Sequence, residues 1–207
     1  MTSFRTMALA DLLDAFASNE PVPGGGSAAA LAGALGASLL IMVAGLPKTR
    51  TGAPEEAADL AEASARLRPL RDSLVELVDD DTRAYAAVLE ARRLPKATEA
   101  EQDARRAAVD AAMHGATRVP LETMRFCQQA LRGAMTVAAH GNRNAATDTG
   151  AAVELLVAAL RGAGMNVDVN LKGISDAAFV ERVAAERAQL AADAEADAER
   201  ARAALGT

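Results

Sequence analysis

From Pro21 the chain reads Pro-Val-Pro-Gly-Gly-Gly-Ser, and from Ser27 to Leu46 there follows a stretch without a single charge, made mostly of Ala, Gly and Leu. No other feature narrows the possible folds as much. Two prolines and three glycines end whatever precedes them, and Ser27 is a natural N-cap for a helix that runs to about Gly45. A bilayer is crossed by about 20 apolar residues, so length alone permits a membrane span. However, spans draw their transfer energy from Leu, Ile and Phe, whereas this segment is built on Ala and Gly. It reads as a buried central helix, in which Gly33, Gly36 and the alanines let neighbouring backbones approach closely.

The remainder of the chain points to an all-α fold. Hydrophobic residues make up 51% of the sequence but aromatics only 2%, so the core must come from closely packed helices rather than large rings. Runs that alternate β-branched with polar residues, the mark of a strand, are scarce. A first helix is predicted from near Thr6 to Ser18. Pro54, followed by Glu55 and Glu56, opens a long helix to about Arg93 that Pro69 kinks or interrupts. Thr98 and Glu101 form a capping box for the next helix, to about Gly115, and Pro120 opens another through Ala139. His140-Gly-Asn-Arg-Asn144 is a turn. A helix from about Ala145 to Val167 ends in the Asn166–Gly173 stretch, and Ser175 caps the last. Beyond Leu190 large apolar residues nearly vanish, so residues 191–207 are expected to project, fray or pack on a partner chain. The expected architecture is one helical domain over 1–207, an up-and-down-like bundle around the Gly/Ala-rich helix.

A formal charge of −6 argues against nucleic acid, which needs a clustered basic face. A small polyanion remains open to it through a local basic patch. Cys127 stands alone, which excludes a disulfide framework and a Cys-based metal site, and it reads best as a small buried residue. His114 and His140 are too few for a His-rich site, so no metal is predicted. The opening Met1–Thr6 lacks the features of a secretory signal, which places the expectation in the cytoplasm and off the membrane.

Chemistry is concentrated in a few short motifs. Pro23, Gly24, Gly25, Gly26 and Ser27 lead into a helix whose first N–H groups carry partial positive charge, and the glycines let a ligand reach the backbone. The alternative is a tight turn that folds the first helix back. A nucleotide-binding loop is excluded, since the Lys-Ser/Thr that follows its glycines is missing. Asp79, Asp80 and Asp81 are consecutive, and helical geometry lets only one or two of them face a single site.

These motifs, taken in order, resemble the formimidoyltetrahydrofolate cyclodeaminase and methenyltetrahydrofolate cyclohydrolase family. The resemblance is carried by Pro21-Val-Pro-Gly-Gly-Gly-Ser27 with its helix, Asp79-Asp-Asp-Thr-Arg-Ala-Tyr85, Leu94-Pro-Lys96, Val119-Pro-Leu-Glu122, Gly141-Asn-Arg-Asn-Ala-Ala-Thr-Asp-Thr-Gly150 and Asn166-Val-Asp-Val-Asn-Leu171. One segment departs from the family pattern. Leu46-Pro-Lys-Thr-Arg-Thr-Gly52 replaces a paired-lysine element, with Lys48 and Arg50 as the available cations and the tyrosine missing.

The resemblance implies an enzyme acting on a tetrahydrofolate derivative as substrate, with no tightly bound cofactor. It implies Asp81, with Asp79 beside it, as the proton-handling carboxylate, and Asp148 near a helix start as a further catalytic candidate. Each has a plainer role open to it, as a solvated or helix-stabilising acid. Asn142 and Asn144 bond either the pterin or their own turn. Lys96 is the candidate for the glutamate tail, with Arg93, Lys48 and Arg50 behind it, and His140 for a proton relay. Two rival readings are a folate-binding paralogue without turnover and a purely structural helical module. The small residues of the central helix suggest burial against a second copy, hence a homodimer.

Overall fold

An uncharged stretch rich in Ala and Leu, entered through a glycine turn, forms the central helix α2. The structure, a computed structural model, describes residues 3–206. A short 3-10 turn, Phe4–Thr6, precedes α1 (Leu9–Ala17), α2 (Gly25–Ala44), α3 (Pro54–Arg93) and α4 (Glu99–His140). A second 3-10 turn, Arg143–Ala145, leads to α5 (Ala146–Leu171) and α6 (Ala177–Leu205). Among the described residues there is no strand, as the composition requires.

α2, α3, α4 and α5 pack as an up-and-down bundle in which α2 and α4 each touch both α3 and α5, and α6 lies along α4 and α5. The glycines of α2 set how close its neighbours come. A Cβ on Gly33 would lie 2.8 Å from the sulfur of Cys127 on α4, and one on Gly36 would lie 2.9 Å from the backbone oxygen of Ala152 on α5. Ala30, Ala37 and Leu40 are completely buried in the same seam. Both α2 and the Arg143–Leu171 stretch are long and apolar enough to cross a membrane, yet about half of each is buried inside this bundle. Cys127 is buried as expected, and burial pushes its thiol up to about 12.

Several boundaries differ from the sequence expectation. Gly24, not Ser27, occupies the N-cap of α2, and Ser27 turns inward to donate to the carbonyl of Val78 at 2.8 Å. α3 runs unbroken through Pro69, and α4 runs unbroken through Pro120. At Pro120 a tertiary partner compensates for the missing N–H. The carbonyl of Ala116, four residues back, receives Nδ2 of Asn170 on α5 at 2.8 Å instead. α5 therefore continues to Leu171, through the polar stretch that was read as its end. Asp176 rather than Ser175 caps α6, accepting from the Phe179 N–H at 3.1 Å. The charged tail does not project. Ala194, Ala198 and Ala201 are buried on the chain's own helices, and Gln128 of α4 donates to the buried Asp197 at 2.9 Å. Small residues at these positions bring α6 close without large apolar side chains, which is why hydrophobic periodicity missed it.

Candidate active site

The aspartate run sits on α3 where it passes the start of α2, and the three acids part company there. Asp81 faces inward. Its Oδ2 accepts from the Ser27 N–H at 2.9 Å and lies 3.1 Å from the Ser27 hydroxyl, whose one proton it shares with the Val78 carbonyl. A Cβ on Gly26 would fall 2.0 Å from Asp81 Oδ1, so a residue with no side chain is what allows the carboxylate to rest on the helix start. Burial raises the Asp81 carboxyl above the usual aspartate range, and the two Ser27 hydrogen bonds only partly oppose this.

Asp79 is not part of that group. Two residues along a helix point about 200° apart, and Asp79 is buried on another side, where it anchors the N-terminal turn. The Ser3 hydroxyl donates to it at 2.6 Å and the Phe4 N–H at 2.7 Å, and Arg5 lies 3.6 Å away. Asp80 pairs with Arg83 at the surface.

Asp81 lines a cavity of about 570 Å³ closed by Gly24, Gly25 and Gly26, by Tyr85, Val88 and Arg92 of α3, by Met113 and Ala116 of α4, and by Asn166 and Asn170 of α5. Pro23 is buried behind this wall, after a cis Val22–Pro23 peptide bond, and Ser27 stands behind Asp81. Arg92 and Gly173 also line a second, basic cavity of about 630 Å³ that contains Lys96, Arg105 and Arg106. Lys96 therefore stands beside the Asp81 cavity rather than in it, and Arg93 lines neither.

The remaining predicted residues occupy the other end of the bundle. α2 has 20 residues, or about 30 Å, and Asn142, Asn144 and Asp148 lie near its C-terminal end, where a Cβ on Gly141 would meet Val43 at 3.0 Å. Asn142 accepts from the Asn144 N–H at 2.9 Å, the turn-forming role. Asp148 lies in the first turn of α5. The segment that departs from the family pattern is here too, and it is structural. Arg50 donates to the carbonyls of Ala138 at 2.8 Å and Ala204 at 3.0 Å, tying the ends of α4 and α6 together. The Thr49 hydroxyl and the Thr51 N–H converge on Glu56 and hold its carboxyl down at about 2. His140 lies 3.5 Å from Asp59 at this end, so within one chain it cannot relay a proton to the Asp81 cavity. Among the described residues no three His, Cys, Asp or Glu side chains converge as a metal site.

Sequence reading missed Tyr85, Arg92, Asn166 and Asn170 as cavity residues. Two asparagines four apart signal one helix face only once the segment is known to be helical, and Pro120 and the glycines argued for turns.

A family model described as Formiminotransferase-cyclodeaminase matches residues 8–189. The chain belongs to the formiminotransferase-cyclodeaminase family. A methenyltetrahydrofolate cyclohydrolase of Methylorubrum extorquens is 43% identical over 188 residues, covering 91% of this chain and 90% of that protein. The formimidoyltransferase-cyclodeaminase of Mus musculus is 35% identical over 77% of this chain, which spans only 30% of the mouse protein. The crystal structure of formiminotetrahydrofolate cyclodeaminase from Thermotoga maritima superposes with a TM-score of 0.87 at 26% identity, over 97% of this chain and 96% of the other.

Proposed function

We infer that this chain is a cytoplasmic folate one-carbon enzyme, and we propose that it hydrolyses 5,10-methenyltetrahydrofolate. The observation that carries the reading is the half-buried Asp81 carboxylate held on the start of α2, in a protein that matches a methenyltetrahydrofolate cyclohydrolase along nearly its whole length. A carboxylate taken partly out of water is a stronger base and attracts a cation more strongly. In the proposed step water attacks the methenyl carbon, and Asp81 takes one of its protons. The C–N5 bond then breaks as the carbonyl of the 10-formyl group forms, N5 takes up a proton, and one proton is released overall. No metal or resident cofactor enters the step. Tyr85 offers a ring face to the flat pteridine or aminobenzoyl group, and Lys96, Arg92 and Arg105 supply positive charge for the glutamate carboxylates. Cyclodeamination of 5-formiminotetrahydrofolate is the second reading, favoured by the fold shared with the Thermotoga enzyme. It needs the same carboxylate, to remove a proton as N10 attacks and ammonia leaves.

The test follows the loss of methenyl absorbance on adding protein, with spontaneous hydrolysis subtracted and 5-formiminotetrahydrofolate as second substrate. Loss faster than the spontaneous rate is expected. Ammonia release from the formimino compound with no effect on the methenyl compound would transfer the assignment to cyclodeamination, and turnover of neither would sink the enzyme reading.

The same proposal includes a homodimer through the outer face of α2. Ala28, Leu31, Ala32, Leu35, Leu39 and Met42 run along it at helical spacing, with Leu35 53% and Met42 42% exposed, and α2 carries no charge at any position. On α5, Met165 and Val169 are also exposed. An uncharged face of this length is unusual on a solvent-exposed helix. If two copies pack α2 on α2 in antiparallel fashion, the Asn142–Asp148 end of one approaches the Asp81 cavity of the other, and the two separated groups of family-like residues become neighbours. Light scattering at micromolar concentration is expected to give twice the 21.3 kDa chain mass for the wild type and a single chain mass for Leu35→Glu. A monomeric wild type removes the dimer.

A further inference from the structure

The Asn166-Val-Asp-Val-Asn170 stretch, which the proposed reaction leaves without a role, sets two carboxamides into the wall of the Asp81 cavity. Residues four apart on a helix share a face, so both side chains belong to the same strip of α5. One N–H of each carboxamide is taken by a backbone carbonyl, which fixes the orientation of the group. Asn170 commits Nδ2 to the carbonyl of Ala116, the one backbone acceptor of α4 that Pro120 deprives of its helical donor. Asn166 commits Nδ2 to the carbonyl of Gly162 at 3.0 Å. Among the described residues nothing donates to either Oδ1, nor to Oδ1 of Asp81 on the facing helix. The cavity therefore carries acceptors on two walls, while its glycine edge supplies backbone.

We propose that Asn166 and Asn170 are binding residues that accept hydrogen bonds from the donor edge of a reduced pteridine, its exocyclic amino group and ring N–H groups, and that Pro120 orients Asn170 for this by freeing the Ala116 carbonyl. The inference rests on the folate reading above and extends it from the reacting carbon to the recognition of the ring. A ring that offers several N–H donors on one edge needs acceptors there, and the hydrogen bond made by one N–H of each Nδ2 holds the amide against flipping, so that Oδ1 stays an acceptor.

Two variants separate recognition from structure. Asn166→Leu leaves the Gly162 carbonyl with its ordinary helical donor, so folding is unaffected. Asn170→Leu strands the Ala116 carbonyl and lowers Tm, whereas Asn170→Leu combined with Pro120→Ala restores a backbone N–H to that carbonyl and recovers Tm. Binding of 5-formyltetrahydrofolate, a stable folate, is measured by calorimetry for the wild type and each variant. The expected result is that Asn166→Leu and the double variant both melt like the wild type and bind about tenfold more weakly, the effect of losing about 1.4 kcal/mol of hydrogen bonding. Wild-type affinity in either variant would overturn the proposal, since the asparagines would then serve only the packing of α5 on α4. Absence of binding by the wild-type protein itself would fall instead on the folate reading, and the two failures are told apart by that control.

Discussion

Asp81→Asn is expected to reduce turnover of the methenyl substrate by about 10²–10⁴-fold, the usual contribution of a positioned acid or base, while leaving the protein at least as stable as the wild type at neutral pH. Asn keeps an oxygen that can accept the Ser27 N–H and hydroxyl bonds seen at 2.9 and 3.1 Å, so the local structure survives. What it loses is a charge that burial disfavours. The Asp81 pKa is raised in the folded protein, so its contribution to stability is full below the unfolded-state pKa and is lost as pH rises through the folded-state value. At neutral pH the ionised carboxylate stands at a cost to folding, and the neutral amide removes that cost. The wild type should also show an acid limb in kcat/KM that lies above the ordinary aspartate range, because the base works only when ionised. A pH profile and a melting curve of both proteins check this. A variant with reduced Tm and unchanged turnover would assign Asp81 to structure alone.

The second large effect is at Gly26. A methyl group there would lie 2.0 Å from Oδ1 and 2.5 Å from Cγ of Asp81, far inside van der Waals contact, so the carboxylate must leave its seat or α2 must move off α3. Overpacking of this kind costs about 1–3 kcal/mol, and a displacement of about 1 Å at a reacting group can cost 10²-fold in rate. Gly26→Ala is therefore expected to lose turnover by about 10²-fold and to melt earlier than the wild type. Gly115→Ala is the control, because this exposed helical glycine lies outside the Asp81 cavity and its Cβ would meet nothing within 4 Å. The decisive comparison is between the two alanines, by turnover and by thermal melting. Equal activity in both would show that Asp81 has room to adjust and that the glycine serves only the turn.

Much of the molecule was legible locally. The capping box at Thr98 and Glu101 is present as read, because its two hydrogen bonds join residues three apart. Pro54 opens α3 where a missing N–H does no harm. The glycines and alanines of α2 announced a helix that neighbours approach closely, and Gly33 and Gly36 meet Cys127 and Ala152 as that reading requires. The ordered motifs, from the glycine turn to Asn166, identified the family. Each of these signals depends on propensity, on short-range hydrogen bonding or on motif order, all of which are written along the chain.

Other features were decided between helices. Pro120 looked like a helix start because its own sequence offers nothing to replace the lost bond, and the replacement comes from Asn170, 50 positions on. Asp79 and Asp81 are equivalent in any local reading, but the N-terminal turn captures one and Ser27 of α2 captures the other. The motif order along the chain does not say how far apart the two groups of family-like residues lie, and the length of α2 holds them at opposite ends of a single chain. The sequence by itself determined that the chain is helical, which helix is central and which family it belongs to. Only the packing of α2 against α3 and α5 decided which carboxylate faces the cavity, because burial and partnering are properties of the space between elements, and no single element contains them.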